Sequence, residues 1–278
     1  MEIIQDMQKK IVSFDGTKIN YDISRNKGNK EFLVFIHGAG GNLSAWKEER
    51  SFFHKKGYST VAIDLRGHGK SGRPHLAVDY GLDNFAKDIH HILQYENIDD
   101  FSIVGHCFGG MITITYHKLF PIKSRSYILI GTTYKAPPFL KKIFNPDSSF
   151  ISIINNILEK RSLEKEYLTD VDFKKFVGTG DYNLRRITSD IYHTSLKSWI
   201  FTYESLAKYD GTDIMKTIEQ PVLIIEGEKD TIFNVTKAKK INRLIRNSTL
   251  KIVPKANHII VLNNPEAIQS EMLRFMSL

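Results

Sequence analysis

The sequence predicts an α/β protein: a mostly parallel central sheet flanked by helices, interrupted late in the chain by an inserted helical block. Three observations carry this. Short apolar runs alternate with helical spacing from Glu31 to Ile130, the pattern of a parallel sheet covered by helices. The alternation stops at about Thr132, where helical spacing and large apolar residues take over as far as Met215, and it resumes at Val222. A chain of 278 residues, 41% of them hydrophobic, can also bury a large core. The expected organisation is a first core part at 1–131, a helical lid insertion at 132–215 and a second core part at 216–278.

The elements follow in order. Ile11-Val12-Ser13-Phe14 and Thr17-Lys18-Ile19-Asn20-Tyr21 flank an Asp15-Gly16 turn and read as a hairpin. Phe32 to Ile36 is an apolar run of the kind buried on both faces of a sheet, and it ends in His37-Gly38-Ala39-Gly40-Gly41. Ser44 is placed to cap a helix running through Lys56, and Ser59 to Ile63 is the next strand. Leu82 to Tyr95 has helical spacing, and Phe101 begins a strand that leads to Cys107. The helix after Cys107 runs to about Leu119, since Pro121 forbids continuation, and Ser126 to Ile130 gives another strand.

Within the helical block, Pro137-Pro138 and Gly178-Thr179-Gly180 are interruptions. The block carries Phe139, Phe144, Phe150, Phe173, Phe176, Trp199 and Phe201, most of them expected to form its own core and some to face a cleft. Beyond it come a strand at Val222 to Ile225, a helix at Val235 to Ile245, a strand at Leu250 to Val253 and a last helix from Pro265. There are no repeats and no low-complexity tracts.

Composition narrows the function classes. No segment approaches the roughly 18 apolar residues of a membrane span, and Met1 to Lys10 has no unbroken apolar run, so a soluble, unexported, cytoplasmic protein is expected. A single cysteine rules out an internal disulfide and fits a reducing compartment. The formal charge of +8 invites a nucleic-acid partner, but pairs such as Lys9-Lys10, Lys55-Lys56 and Lys141-Lys142 are isolated. They read as solvated faces.

The chemistry gathers around Cys107. An apolar run ends in Gly105-His106-Cys107-Phe108-Gly109 and passes straight into helix-forming residues, which makes a strand, a sharp turn and a helix. Gly105 and Gly109 leave room for a strained tip and for close packing of helix on strand. At that tip the first amides of the helix favour a thiolate. Taken alone, the pentapeptide also fits a buried cysteine in a glycine-rich turn. Two more polar clusters follow strands: Glu226-Gly227-Glu228-Lys229-Asp230 and Pro254-Lys255-Ala256-Asn257-His258. Ligand sites in open α/β sheets lie at the carboxyl ends of the strands, the edge Cys107 shares.

The chain order nucleophile, acid, histidine is that of α/β-hydrolases and differs from the other triad folds. On these residues the chain resembles the α/β-hydrolase superfamily, in its lid-bearing esterase, lactonase and peroxidase-like branch, over nearly its whole length. The matching pieces are His37 to Gly41, Asp64-Leu65-Arg66-Gly67-His68-Gly69-Lys70-Ser71, the Gly-x-Cys-x-Gly turn, Glu226 to Asp230 and Asn257-His258. The turn usually carries serine; cysteine changes the chemistry and spares the geometry.

The resemblance implies a role for each residue. Cys107 is the nucleophile, His258 takes and returns its proton, and Asp230 holds the imidazole tautomer. The backbone N–H groups of Ala39 and Phe108 form the oxyanion hole, worth roughly 3–4 kcal/mol per donor in other enzymes. Some members take the acid from the loop after the sixth strand, which here is Gly131-Thr132-Thr133 and holds none. No cofactor and no metal are implied. The expected reaction is cleavage of an ester, thioester or lactone, a small-molecule acyl substrate, through a thioester acyl-enzyme.

The aromatic lid points to a partly apolar acyl group. Acyl transfer from the same intermediate is the nearest alternative, and Gly-x-Cys-x-Gly-Gly also resembles the elbow of polyhydroxyalkanoate synthases, although the rest of the chain looks like small hydrolases. A non-catalytic small-molecule receptor on the same fold is the third reading. An intact Asp230 and His258 argue against it.

Other motifs have structural readings. His106 is expected to be an elbow neighbour rather than a second base, and His37 and His68 to brace loops by bonding to backbone. His90-His91 falls on a polar helix face, and no His-Glu-x-x-His or paired-cysteine spacing supports a metal. Gly69-Lys70-Ser71 imitates the end of a phosphate loop, but the position that needs the first glycine is Asp64. Gly38 to Leu43 likewise lacks the third glycine of a dinucleotide fingerprint.

Overall fold

Apolar runs with no polar alternation build the centre of one sheet. The computed structural model describes residues 7–27, 30–144, 149–160 and 171–277. Its strands are β1 (Met7–Val12), β2 (Lys18–Ser24), β3 (Lys30–Ile36), β4 (Tyr58–Ile63), β5 (Phe101–His106), β6 (Tyr127–Ile130), β7 (Val222–Gly227) and β8 (Ser248–Val253). They lie in the order β1-β2-β4-β3-β5-β6-β7-β8. β1 to β2 and β2 to β4 are antiparallel, and every later pairing is parallel. β4, β6 and β7 are buried at every position, which is why they read as continuous apolar runs.

Alternation along each strand divides the core into two layers. Val34, Ile36, Ile103, Leu129 and Ile224 face one cluster, in which α2 (Leu82–Tyr95) and α3 (Phe108–Leu119) take part. Leu33, Phe35, Val104, Ile128 and Leu223 face the other, with α1 (Lys47–Lys55) and, later in the chain, Pro265–Met276. Between β6 and β7 lie α4 (Pro138–Ile143), α5 (Ser149–Glu159), α6 (Leu184–Thr194), α7 (Leu196–Ala207) and α8 (Thr212–Met215). The chain closes with α9 (Val235–Leu244), α10 (Ile260–Asn263) and α11 (Pro265–Met276). Among the described residues no helix is long and apolar enough to cross a membrane.

Three local expectations need correcting. The hairpin exists, but its first strand ends at Val12, because the Ser13 N–H closes the turn on Thr17 O at 2.8 Å. The cap before α1 is Asn42, whose side chain accepts from Ser44 N–H at 2.9 Å and leads into a 3-10 turn over Leu43–Trp46. His90 is half-buried and stacked on Phe120 at 3.8 Å, since the chain after α3 folds its aromatic ring back onto α2.

The Asp64 to Ser71 motif is a brace. Asp64 is buried and accepts from Leu43 N–H, Lys70 N–H and the Asn20 amide, each at 2.8 Å. Arg66, also buried, donates twice to Asp88 at 2.7 and 2.6 Å. Together these bonds fix the path of the chain just after the glycine-rich loop that follows β3.

Candidate active site

The turn between β5 and α3 puts Cys107 in a backbone conformation that L-residues rarely adopt, with φ 53° and ψ −113°. Its neighbours allow this. A side chain at Gly105 would strike the backbone of Gly109, and one at Gly109 would strike the Ile36 carbonyl, so helix and sheet meet closer than any other residue permits. The Cys107 N–H donates to Ile130 O at 2.9 Å, and its carbonyl accepts from Thr132 Oγ1 at 2.7 Å. The thiol-bearing residue is therefore locked to β6 while its side chain stands half-buried at the start of α3.

Beside it lie the sequence-singled partners. His258 Nδ1 and Asp230 Oδ2 are 2.7 Å apart, both residues buried, and Asp230 Oδ1 accepts from the Ile232 and Phe233 N–H groups at 2.7 Å each. The Cys107 side chain is the other group whose interaction bears on the His258 imidazole. Burial opposes charge on His258, but the neighbouring Cys107 charge and the hydrogen bonds to Asp230 and Cys107 hold its pKa well above the ordinary imidazole value. Burial likewise pushes Asp230 up, and the His258 bond and charge bring it below its usual value. Glu228 takes no part: it accepts from Lys255 N–H at 2.9 Å.

The loop after β3 closes the other side. A side chain at Gly38 would sit 3.2 Å from Cys107 Cβ, so the strand end carrying Ala39 brushes the elbow. The His37 Nδ1–H donates to Gly38 O at 2.7 Å while Nε2 accepts from Leu65 N–H at 3.1 Å, and His68 Nδ1–H donates to Arg66 O at 3.0 Å, so both histidines brace loops. The Phe108 N–H belongs to the first turn of α3, where N–H groups have no intrahelical partner. His106 Nε2–H donates to the His258 carbonyl at 3.0 Å, and burial with the His258 charge pushes its pKa down to about 3. It is a neutral neighbour, not a second base.

Sequence reasoning missed three contributors. Glu226, the last buried side chain of β7, shares a hydrogen bond with Asp230, and burial plus the Asp230 charge lift its pKa to about 10. Two neighbouring carboxylates resist ionising together, so Glu226 keeps its proton and its O–H donates a hydrogen bond to ionised Asp230. The available signal was a carboxyl at the end of an apolar run, Val-Leu-Ile-Ile-Glu. Tyr203 on α7 senses the Cys107 charge, lies tilted against Trp199 with ring centroids 4.1 Å apart, and is 6.1 Å from the Phe144 ring. Asp181 meets both the Asp230 and His258 loops; nothing in its sequence context marks it.

Of the aromatics in the helical block, expected to form mostly its own core, Trp199 and Phe144 gather near Tyr203, while Phe201 packs on Tyr80 and Phe139 and Phe150 point to solvent. A cavity of about 70 Å³ adjoins Gly38, Ala39 and His106 and is walled by Trp46, Phe173 and Ile259.

Residues 31–265 match a family model described as the alpha/beta hydrolase fold. The chain is 25% identical over 277 residues to Protein ABHD8 of Homo sapiens, covering 98% of this chain and 58% of that protein. It thus spans about three-fifths of the length of the ABHD8 relatives it matches. It is 24% identical over 282 residues to a non-heme haloperoxidase of Rhodococcus erythropolis, covering 96% of this chain and 98% of that one. Among solved structures, a hydrolase from Pseudomonas aeruginosa PA01 has a TM-score of 0.76 at 17% identity, covering 98% of each chain. The enol-lactonase from Burkholderia xenovorans LB400 has a TM-score of 0.76 at 16% identity, covering 97% of this chain and all of that one. From the match over residues 31–265 and a mostly parallel sheet flanked by helices, the chain belongs to the alpha/beta hydrolase fold family.

Proposed function

We propose that the chain is a hydrolase that cleaves an ester, thioester or lactone by forming a thioester on Cys107. The observation that carries this reading is the buried Asp230–His258 pair, 2.7 Å apart, together with a cysteine held at the strained tip of the elbow between β5 and α3. The names of the esterase, lactonase and haloperoxidase relatives support the substrate class.

In this reading His258 takes the Cys107 proton as the sulfur becomes the nucleophile, leaving a thiolate beside an imidazolium. The sulfur attacks the acyl carbon, and the carbonyl electron pair moves onto oxygen, where the N–H groups of Ala39 and Phe108 receive it. The tetrahedral adduct collapses, the bond to the leaving alcohol or thiol breaks, and His258 gives that group its proton. Neutral His258 then takes a proton from water as the hydroxide adds to the thioester. The acid leaves, the thiolate returns, and the sum is substrate plus water giving acid plus alcohol or thiol. Asp230 keeps Nδ1 protonated and steadies the cation, and protonated Glu226 fixes Asp230 in turn.

The helical segment at 132–215 serves as a lid, and the Tyr203, Trp199 and Phe144 rings give it an apolar wall for the acyl group. Intact-mass analysis after mixing with p-nitrophenyl esters and acyl thioesters tests the proposal. An adduct on Cys107 that decays in water is the expected result. An adduct that persists until an amine or alcohol is added turns the reading to acyl transfer, and no adduct with any acyl donor removes the covalent mechanism.

A further inference from the structure

We infer that Asp181, in the helical insertion, is a positioning residue that fixes the aim of His258 by tying its backbone to the loop that carries Asp230. The inference rests on the roles proposed above for Cys107, Asp230 and His258.

Each oxygen of this carboxylate serves a different loop. Asp181 Oδ1 accepts the His258 N–H at 2.8 Å, while Oδ2 accepts the Thr231 N–H at 2.9 Å and the Thr231 hydroxyl at 2.5 Å. The two loops follow β7 and β8, and their ladder ends at Gly227 and Val253, so sheet pairing does not reach Thr231 or His258. Beyond the ladder the Lys229 N–H donates to Ala256 O at 2.8 Å and Lys255 N–H to Glu228, and the buried Asp181 carboxylate adds the bond that reaches the main chain of His258 itself. Bonds from N–H or O–H to an ionised acceptor are shorter and stronger than neutral ones, and here they grip the main chain at the imidazole's own residue. A displacement of about 1 Å at a reacting group can cost about a hundredfold in rate.

The segment bearing Asp181 is itself held on both sides. Thr179 O accepts from the Asn257 and Asn263 amides at 2.9 and 3.1 Å, and Gly178 N–H donates to Asn263 Oδ1 at 2.7 Å. On the other side, Arg186 Nη2 donates to Asp181 O at 2.8 Å and Nη1 to Asp190 at 3.0 Å, joining the segment to α6. The carboxylate is a fixed fork, and a shift of the insertion moves the histidine with it.

The test compares Asp181→Ala, Asp181→Asn, Thr231→Val and a His258→Ala control, using p-nitrophenyl acetate turnover and iodoacetamide labelling of Cys107 at neutral pH. Asp181→Ala is expected to lower kcat by about ten- to hundredfold. KM should change by less than about threefold, because substrate contacts are untouched. Labelling should slow in step, since it reports the Cys107 and His258 pairing without any substrate. Asp181→Asn keeps one accepting oxygen and should fall between Ala and parent; Thr231→Val removes only the hydroxyl bond and should fall nearest to parent.

If Asp181→Ala does not fold, the Asn and Thr231 variants carry the same ordering. A lowered Tm with parent-like kcat and labelling means a mere tether and overturns the inference while the triad stands, provided His258→Ala is inactive. Parent-like turnover in His258→Ala overturns the triad and the inference together.

Discussion

The strands β6 and β7 bury every apolar residue they carry, whereas the helices α4 to α8 bury some and expose others. Both strands are buried at every position, and the only carboxyl they bury, that of Glu226, donates a hydrogen bond to Asp230. The insertion instead leaves Phe139, Ile143, Phe150, Ile153 and Ile157 facing outward, and buries Asp181, Asp190, Ser198, Thr202 and Glu204. The core is held by apolar area removed from water, a force without direction. The insertion is held substantially by directed polar bonds, several of which end on the Asp230 and His258 loops. Substitutions in the core should therefore move stability, and those at the junction should move activity.

The largest effect is expected at the edge where the two regions meet. His258→Ala should stay folded by circular dichroism and lose about 10²–10⁴-fold in kcat/KM, the usual contribution of a general acid–base. Asp230→Asn should fall severely too, because an amide in place of the carboxylate favours the wrong tautomer. Activity of either variant within about tenfold of the parent would reduce this edge to a structural junction.

The core half of the comparison is tested by Ile128→Ala. Ile128 lies on β6, fully buried against the α1 and α11 layer. Removing its outer carbons should cost about 2–5 kcal/mol, read as a lower urea midpoint at unchanged m. A cost below about 1 kcal/mol would mean that layer is loosely packed.

The same contrast explains what was legible in the sequence. Buried parallel strands leave unbroken apolar runs, and the helices that cover them leave a 3.6-residue period, so α2 and α3 were placed at the bounds they have. The elbow was legible because Gly105 and Gly109 have a steric reason to be glycine. Cys107, Asp230 and His258 were readable as strand-end residues in a given order. Asp181 is not, since two of its three donors are main-chain N–H groups at Thr231 and His258 and the third is one threonine hydroxyl, none of which leaves a trace in side-chain pattern. Tyr203 is one aromatic among many, and only packing decides which of them comes near enough to feel the Cys107 charge. The cap lies at Asn42 and not at Ser44, two residues later, because both residue types satisfy the same local rule and only the fold selects between them.

Glu49 is an exception within the core layer and yields an effect that appears only as pH rises. It is fully buried on α1, its carboxyl oxygens have no partner from another residue, and burial lifts its pKa to about 8. The folded state therefore holds a proton that the unfolded state releases near the ordinary glutamate value. The stability this gives is fully present below about pH 4.5 and is lost as pH rises toward 8. Glu49→Gln has no proton to lose. Its advantage over the parent should be near zero at low pH and grow to a few kcal/mol, roughly 3–5, in mildly alkaline buffer. Parallel stability curves from pH 5 to 9 would show instead that water or a cation reaches this carboxyl.

The smallest effect is expected where the insertion departs most from the core. Phe150, Ile153 and Ile157 recur at helical spacing on one face of α5, and Ile153 is 59% exposed. The opposite face turns Ile151 and Leu158 inward, so the helix is anchored without the outer stripe. Ile153→Ala removes the same carbons as Ile128→Ala from a side chain that water already reaches. The transfer gain is mostly absent and no cavity forms, while alanine's higher helix propensity adds a small favourable amount. The change should lie within about ±0.5 kcal/mol in urea unfolding, against the 2–5 kcal/mol expected for the core isoleucine. Because α5 carries no residue of the Cys107, Asp230 and His258 row, turnover of p-nitrophenyl acetate should match the parent. A loss comparable to that of Ile128→Ala would mean that another surface covers this stripe in solution, and dilution of the sample should then lower the stability of the parent as well.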